Sequence, residues 1–186
     1  MLQDKHLEKI HQDLCLVRDK VKTQFGGLSE TQFNWKPEAK KWSIAECMDH
    51  LLIVFSRYEP NVEKKMQEAK KDNAFLPYKS TFTGRLFMRF VNPDKIRKTS
   101  APGFLKPTPG STYPLSRMED YLAYLEKVDQ YIDQADGMAL NKIRIASSIG
   151  PILKFSLGDY FLIESMHNRR HLKQMLALME NPQFPK

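Results

Sequence analysis

Four long stretches of the chain repeat apolar residues at spacings of three and four, and this pattern limits the possible folds more than any other feature of the sequence. The first stretch is the clearest, because one helical face carries Leu7, Ile10, Leu14, Val17 and Val21. Two glycines follow it and favour a helix end. No segment shows convincing strand alternation. The sequence therefore predicts an all-α protein, a four-helix bundle.

The second stretch has the strongest helix-start signal. Ser43 and Glu46 are spaced as a capping box, in which each side chain bonds the backbone N–H of the other residue. We expect this helix to run to about Lys71, with a kink at Pro60.

The remaining helices are predicted with less distinct ends. The third is expected to begin after Pro114, with Ser116 as its N-cap, and the fourth to run from about Gly158 to Met179. Residues 138–157 between them are expected to be a connector.

Residues 72–116 form a long irregular insertion between the second and third predicted helices. A short helix is expected to begin in it near Thr81 or Thr83. The stretch from Asn92 to Pro114 inclusive contains five prolines and two glycines, which predict an ordered loop after that helix. A loop of this length usually covers a site or pads a flank of the domain.

The composition narrows the class of protein. The 186 residues are expected to form one domain, residues 1–186. No apolar run reaches the roughly 20 residues of a membrane-spanning helix, and no signal peptide is evident, so we expect no membrane partner and a cytoplasmic location. Cys15 and Cys47 lack CxxC spacing, which also favours the cytosol, and both are interpreted as small buried hydrophobes.

The net charge is positive but dispersed. Lysine and arginine number 29 against 22 acidic residues, a formal charge of +7. The basic residues occur in pairs rather than long runs, and aromatic residues do not alternate with them. Nucleic-acid binding is therefore not expected.

The histidines provide the main functional signal. His167 and His171 are four residues apart in the fourth helix, so both imidazoles lie on one face. This spacing suits two ligands of one metal ion, and His50 lies among inward-facing residues of the second helix. The alternative is three core histidines that bond to Tyr, Ser or Gln. His6 and His11 are expected to face solvent.

Two segments resemble the DinB-like superfamily. They are WSIAECMDHL at 42–51 and SLGDYFLIESMHNRRHLKQM at 156–175, and the earlier LSETQFNWKP fits the same pattern. The resemblance implies a four-helix bundle that binds one divalent metal ion, with His50, His167 and His171 as its ligands. Relatives include bacillithiol and mycothiol S-transferases and thiol-dependent maleylpyruvate isomerases, many members are dimers, and a homodimer is possible here. Asn168 departs from the acidic residue that is common at its position.

The sequence leaves the chemistry of such a site open. Three imidazoles leave ligand positions free, and they suit zinc, nickel or iron equally. Glu164 is a candidate for a catalytic residue, and Arg170 is a candidate to bind an anionic low-molecular-weight thiol. Glu46 is interpreted mainly as the capping-box partner. HNRRH lacks the Glu of metalloproteases, because Asn168 stands at that position.

Two functions therefore remain. One is a metal-dependent thiol S-transferase or hydrolase that acts on a small electrophilic substrate. The alternative is a non-catalytic, stress-associated binding protein in which the metal only stabilises the bundle.

Overall fold

The computed structural model, which describes Leu2 and residues 4–71, 77–94 and 100–186, is mainly helical. Its α-helices are α1 (Lys5–Phe25), α2 (Glu30–Asn34), α3 (Ile44–Glu68), α4 (Phe82–Val91), α5 (Ser116–Ala135) and α6 (Leu157–Met179). A short 3-10 helix covers Gly103–Leu105, and two strands form one sheet, β1 (Arg144–Ser147) and β2 (Gly150–Ser156). No described helix has both the length and the apolar character needed to cross a bilayer.

The core lies between the long helices. Helix α1 contacts α5 and α6, and α3 contacts the same two helices. The five periodic apolar residues of α1 are all buried, as their spacing predicts. The prediction of a mainly helical protein is therefore confirmed.

The helix that carries His50 begins as expected. Ser43 Oγ accepts from the Glu46 backbone N–H at 3.1 Å, and the Glu46 carboxylate accepts from the Ser43 N–H at 2.8 Å. Helix α3 contains Pro60 and ends at Glu68, slightly before the expected end at Lys71.

The segment between α3 and α5 is not wholly irregular. It contains α4, which Thr81 caps as the sequence suggested, and the 3-10 helix. Residues 72–76 and 95–99 of the predicted insertion lie outside the described residues.

The expected connector at 138–157 contains a β-hairpin instead. Strands β1 and β2 pair antiparallel, with Ile145 opposite Phe155. Both side chains are fully buried, and the Phe155 ring lies 5.3 Å from the ring of Phe87 in α4. The expectation that the chain has no strand is therefore wrong. Most of β2 is exposed on both faces, so apolar and polar residues do not alternate along it over a length that could reveal a strand.

Asp159 joins α4 to the start of α6. Its carboxylate accepts from Tyr78 Oη at 2.7 Å, from Thr81 Oγ1 at 2.7 Å and from the backbone N–H groups of Thr81 and Ser156 at 3.1 and 3.0 Å. Burial acts to raise the pKa of Asp159, but these hydrogen bonds outweigh it and the net pKa is lowered. The side chain is therefore held in one position.

We expect Gly84→Ala to destabilise the protein by about 1–3 kcal/mol. An added Cβ would lie 2.3 Å from Asp159 Cγ, and the bound carboxylate cannot move aside. In an open helix interior the same change would stabilise the protein by about 0.5–1 kcal/mol. The sign of the change in the free energy of unfolding therefore shows whether Asp159 packs against Gly84. Urea unfolding measures it, with Gly27→Ala as the control because nothing lies within 4 Å of that added Cβ. A Gly84→Ala variant as stable as the wild type would contradict the packing.

Candidate metal centre

Three histidines from two helices meet in the interior. His50 comes from α3, and His167 and His171 come from successive turns of α6. The Nε2 atom of His167 lies 3.2 Å from Nε2 of His50 and 3.1 Å from Nε2 of His171. All three residues are at least 91% buried, with exposed fractions of 4%, 9% and 5% for His50, His167 and His171. The group that the sequence predicts is therefore brought together, and it could hold a metal ion.

Trp42 forms one wall of this centre. It lies just before the capping box of α3, and its ring centroid is 4.8 Å from that of His50 and 5.8 Å from that of His171. The indole therefore covers two of the three imidazoles with an apolar surface.

A backbone carbonyl sets the tautomer of His50. The His50 Nδ1–H donates to the carbonyl oxygen of Leu105 at 2.6 Å, because a carbonyl can only accept. In the neutral ring the proton therefore sits on Nδ1, and Nε2 presents a lone pair to the other histidines. The end of the 3-10 helix thus orients the ring.

The centre favours neutral imidazoles. Burial lowers the pKa of His50, and it lowers the pKa of His167 and His171 well below the usual range. Neighbouring histidines and Arg170 lower the pKa of the two α6 histidines further. His171 Nδ1 makes no hydrogen bond of good geometry with the described residues. The Gln174 side chain is nevertheless close enough to raise the pKa of His171 and so to offset part of its decrease.

These observations fit a metal ion. Three buried Nε2 atoms face one another, and His50 carries no proton on that side. A proton on His167 Nε2 could make a linear hydrogen bond to only one of its two neighbours. A cation would use all three lone pairs at once. The alternative of core histidines that bond to Tyr, Ser or Gln accounts for the proximity of Gln174 to His171 but not for the contacts between the Nε2 atoms.

Glu164 lies one turn before His167 and is fully buried. Its Oε2 accepts from Tyr124 Oη at 2.5 Å. Burial raises the pKa of the Glu164 carboxyl to about 7. No hydrogen bond among the described residues joins this carboxyl to the three histidines, so the structure places it beside the centre rather than in it.

Asn168 completes the network around Glu164. It accepts from Tyr121 Oη at 2.7 Å, and its Nδ2 donates to Tyr124 Oη at 2.6 Å and to the Glu164 carbonyl at 2.9 Å. An aspartate could not make those donations. The two hydrogen bonds that the Asn168 amide donates therefore explain why an amide suits this position. Sequence reasoning missed the network, because the two tyrosines and the Glu–Asn pair lie on different helices and meet only in the folded structure.

The remaining candidate residues have other partners. Arg170 donates to the backbone carbonyl of Asn92 at 3.2 Å, next to the segment that follows α4. Glu46 accepts from Lys36 Nζ at 2.7 Å in addition to its capping bonds, as its structural interpretation requires.

The expectation that His6 and His11 face solvent is wrong in part, because both are half-buried and bonded. His6 Nε2 lies 3.1 Å from the Gly158 carbonyl and its ring stacks on Tyr78 at 3.6 Å, whereas His11 Nδ1 lies 3.1 Å from Asp129 Oδ1.

Comparison with known proteins places the chain. The uncharacterized protein YuaE of Bacillus subtilis (strain 168) is 35% identical over 81 residues, which is 44% of this chain and 44% of that protein. The similarity thus spans less than half of that relative. No solved structure matches the chain significantly. A family model described as the DinB superfamily matches residues 14–175, a range that contains all three histidines. The chain therefore belongs to the DinB superfamily.

Proposed function

We propose that the protein is a metal-dependent enzyme, a thiol S-transferase or hydrolase that acts on a small electrophile. In this proposal residues 1–186 form one four-helix-bundle domain with an insertion between α3 and α5. The observation that carries it is that the buried Nε2 atom of His167 lies 3.2 Å from that of His50 and 3.1 Å from that of His171.

His50, His167 and His171 would hold one divalent ion, and three protein ligands leave room for a further one, as in catalytic sites. When bound, such an ion supplies Lewis acidity, which ionises a thiol or lowers the pKa of water towards about 7.

The chain's own residues would orient the reactants and exclude water. Leu105 holds the ring of His50, and Trp42 shields His50 and His171 on one side. The charge of Arg170 is close enough to lower the pKa of His171. Its guanidinium is therefore our candidate to attract an anionic thiol.

Glu164 is our candidate proton acceptor. A carboxyl with a pKa of about 7 changes its protonation near neutral pH, where general acid–base groups work best. The hydrogen bond from Tyr124 supports this role by holding one of the two carboxylate oxygens in place.

The test is turnover of a chloronitroaromatic with a low-molecular-weight thiol by metal-loaded protein. We expect His171→Ala to fall to the uncatalysed rate, whereas His6→Gln, which changes a histidine outside the centre, retains the wild-type rate. Equal rates in the wild type and His171→Ala would refute the proposal. A screen of thiols and esters without turnover, together with a large drop in Tm on chelation, would favour the non-catalytic binding protein.

A further inference from the structure

A second cluster of reactive side chains lies between α1 and α5, on residues that the proposed function does not use. His11, Cys15 and Arg18 follow one another on one stripe of α1, at i, i+4 and i+7, and they face Asp129 of α5. Cys15 is only half-buried, contrary to its interpretation as a buried hydrophobe, whereas Cys47 is buried as expected.

The cluster is ordered as a nucleophile, a base and an orienting acid. Cys15 Sγ lies 3.5 Å from His11 Nε2, and His11 Nδ1 lies 3.1 Å from Asp129 Oδ1. A carboxylate only accepts, so the Nδ1 of neutral His11 carries the proton. Nε2 therefore presents its lone pair to the thiol. This relation between three side chains is the one that activates nucleophiles in acyl-transfer enzymes.

Arg18 adds a positive charge to the cluster. Its Nη2 lies 3.6 Å from Cys15 Sγ, and its Nη1 donates to Asp129 Oδ2 at 3.0 Å. Burial and the charge of Asp129 raise the pKa of the Cys15 thiol, while Arg18 opposes them. The resting group is therefore a thiol, and its proton has to move to His11 as the nucleophile reacts.

The arrangement suits proton transfer better than a metal. The His11 ring stands between the other two groups and uses a different nitrogen for each, so its nitrogens do not both face a common point. Arg18 already supplies the positive charge that a metal would bring. His11 also lines an open cleft of about 360 Å³ with Leu2, Glu8, Gln12, Asp133 and Asp136, so solvent can remove the proton from this side.

We propose that Cys15 is a nucleophilic thiol that forms a thioether with small carbon electrophiles that carry a leaving group. The Cys15 S–H proton passes to His11 Nε2, the sulfur electron pair forms the S–C bond, and the leaving group departs with the electrons of its bond to carbon. Asp129 is a positioning residue that holds the His11 ring, and Arg18 stabilises negative charge on sulfur as it develops. No metal takes part.

The test is alkylation of the full-length protein by iodoacetamide in the presence of a chelator, followed by peptide mass spectrometry. We expect Cys15 to be modified and Cys47 to be protected by burial. His11→Gln should slow the reaction of Cys15 at least about tenfold, a conservative share of what a positioned base contributes. Asp129→Asn should slow it by a smaller factor.

His6→Gln is the matched control, because it changes the other histidine of α1, which does not contact Cys15. It should leave the Cys15 rate unchanged. Cys47 reports folding within each sample, since unfolding would expose it, and Asp129→Asn carries the test if His11→Gln unfolds. The proposal is overturned if Cys15 reacts equally fast in the wild type and in the folded variants, or if it resists alkylation in the wild type.

Discussion

Replacement of His171 by alanine is expected to weaken divalent-metal binding by about two orders of magnitude. One ligand of a protein metal site contributes about 3 kcal/mol, and each 1.4 kcal/mol changes Kd about tenfold. The two remaining Nε2 atoms, on His50 and His167, lie 3.2 Å apart and would hold the ion less firmly. Elemental analysis after dialysis measures the stoichiometry. His50→Ala and His167→Ala should behave in the same way.

Trp42 gives a second, optical measurement of the same binding. Its ring centroid is within 5.8 Å of two of the histidines, so Ni²⁺ should quench its fluorescence as the ion binds. Trp42→Phe should remove the quenching, whereas Trp35→Phe should preserve it, because the Trp35 ring packs against Phe184 instead. Wild-type affinity and wild-type quenching in His171→Ala would show that the three histidines are not the ligands.

Glu164→Gln is expected to stabilise the metal-free protein by about 2.5 kcal/mol more at pH 8 than at pH 5. The pKa of Glu164 rises from its usual 4.5 to about 7 on folding, because the carboxyl is fully buried. Between these values the unfolded chain loses the proton while the folded protein keeps it. The carboxyl therefore costs stability increasingly as the pH rises from 4.5 to 7, and the cost stays constant above 7. Glutamine is never ionised and still accepts from Tyr124.

Urea unfolding at the two pH values, in the presence of a chelator, measures this difference. Glu126→Gln on α5 is the control, since Glu126 is exposed and such surface changes stay within about 0.5 kcal/mol. A Glu164→Gln variant whose stability relative to the wild type is the same at both pH values would mean that the carboxyl is not held protonated in the fold.

The sequence predicts the features that depend on one helix at a time. Apolar spacing places the buried face of α1, and the Ser43 capping box fixes the start of α3. The i, i+4 spacing of His167 and His171 is also a property of a single helix. His50 joins them only because α3 packs on α6. From the sequence, the grouping of all three histidines is implied by the resemblance to a family.

The features that the sequence did not predict depend on contacts between elements. Tyr121 and Tyr124 are ordinary core residues by spacing, and their hydroxyl groups gain a role only when α5 lies beside Asn168 and Glu164 of α6. His11 has the charged neighbours of an exposed residue, but Asp129 reaches it from α5. No local pattern reports such a contact.

The carbonyl that holds His50 belongs to the backbone of Leu105. Every amino acid has that oxygen, so the hydrogen bond itself does not depend on which side chain residue 105 carries. The buried Leu105 side chain instead anchors the 3-10 helix in the core, and the orientation of the His50 ring depends on the length and path of this loop. A residue deleted near Gly103–Leu105 should disturb the centre more than any single replacement there.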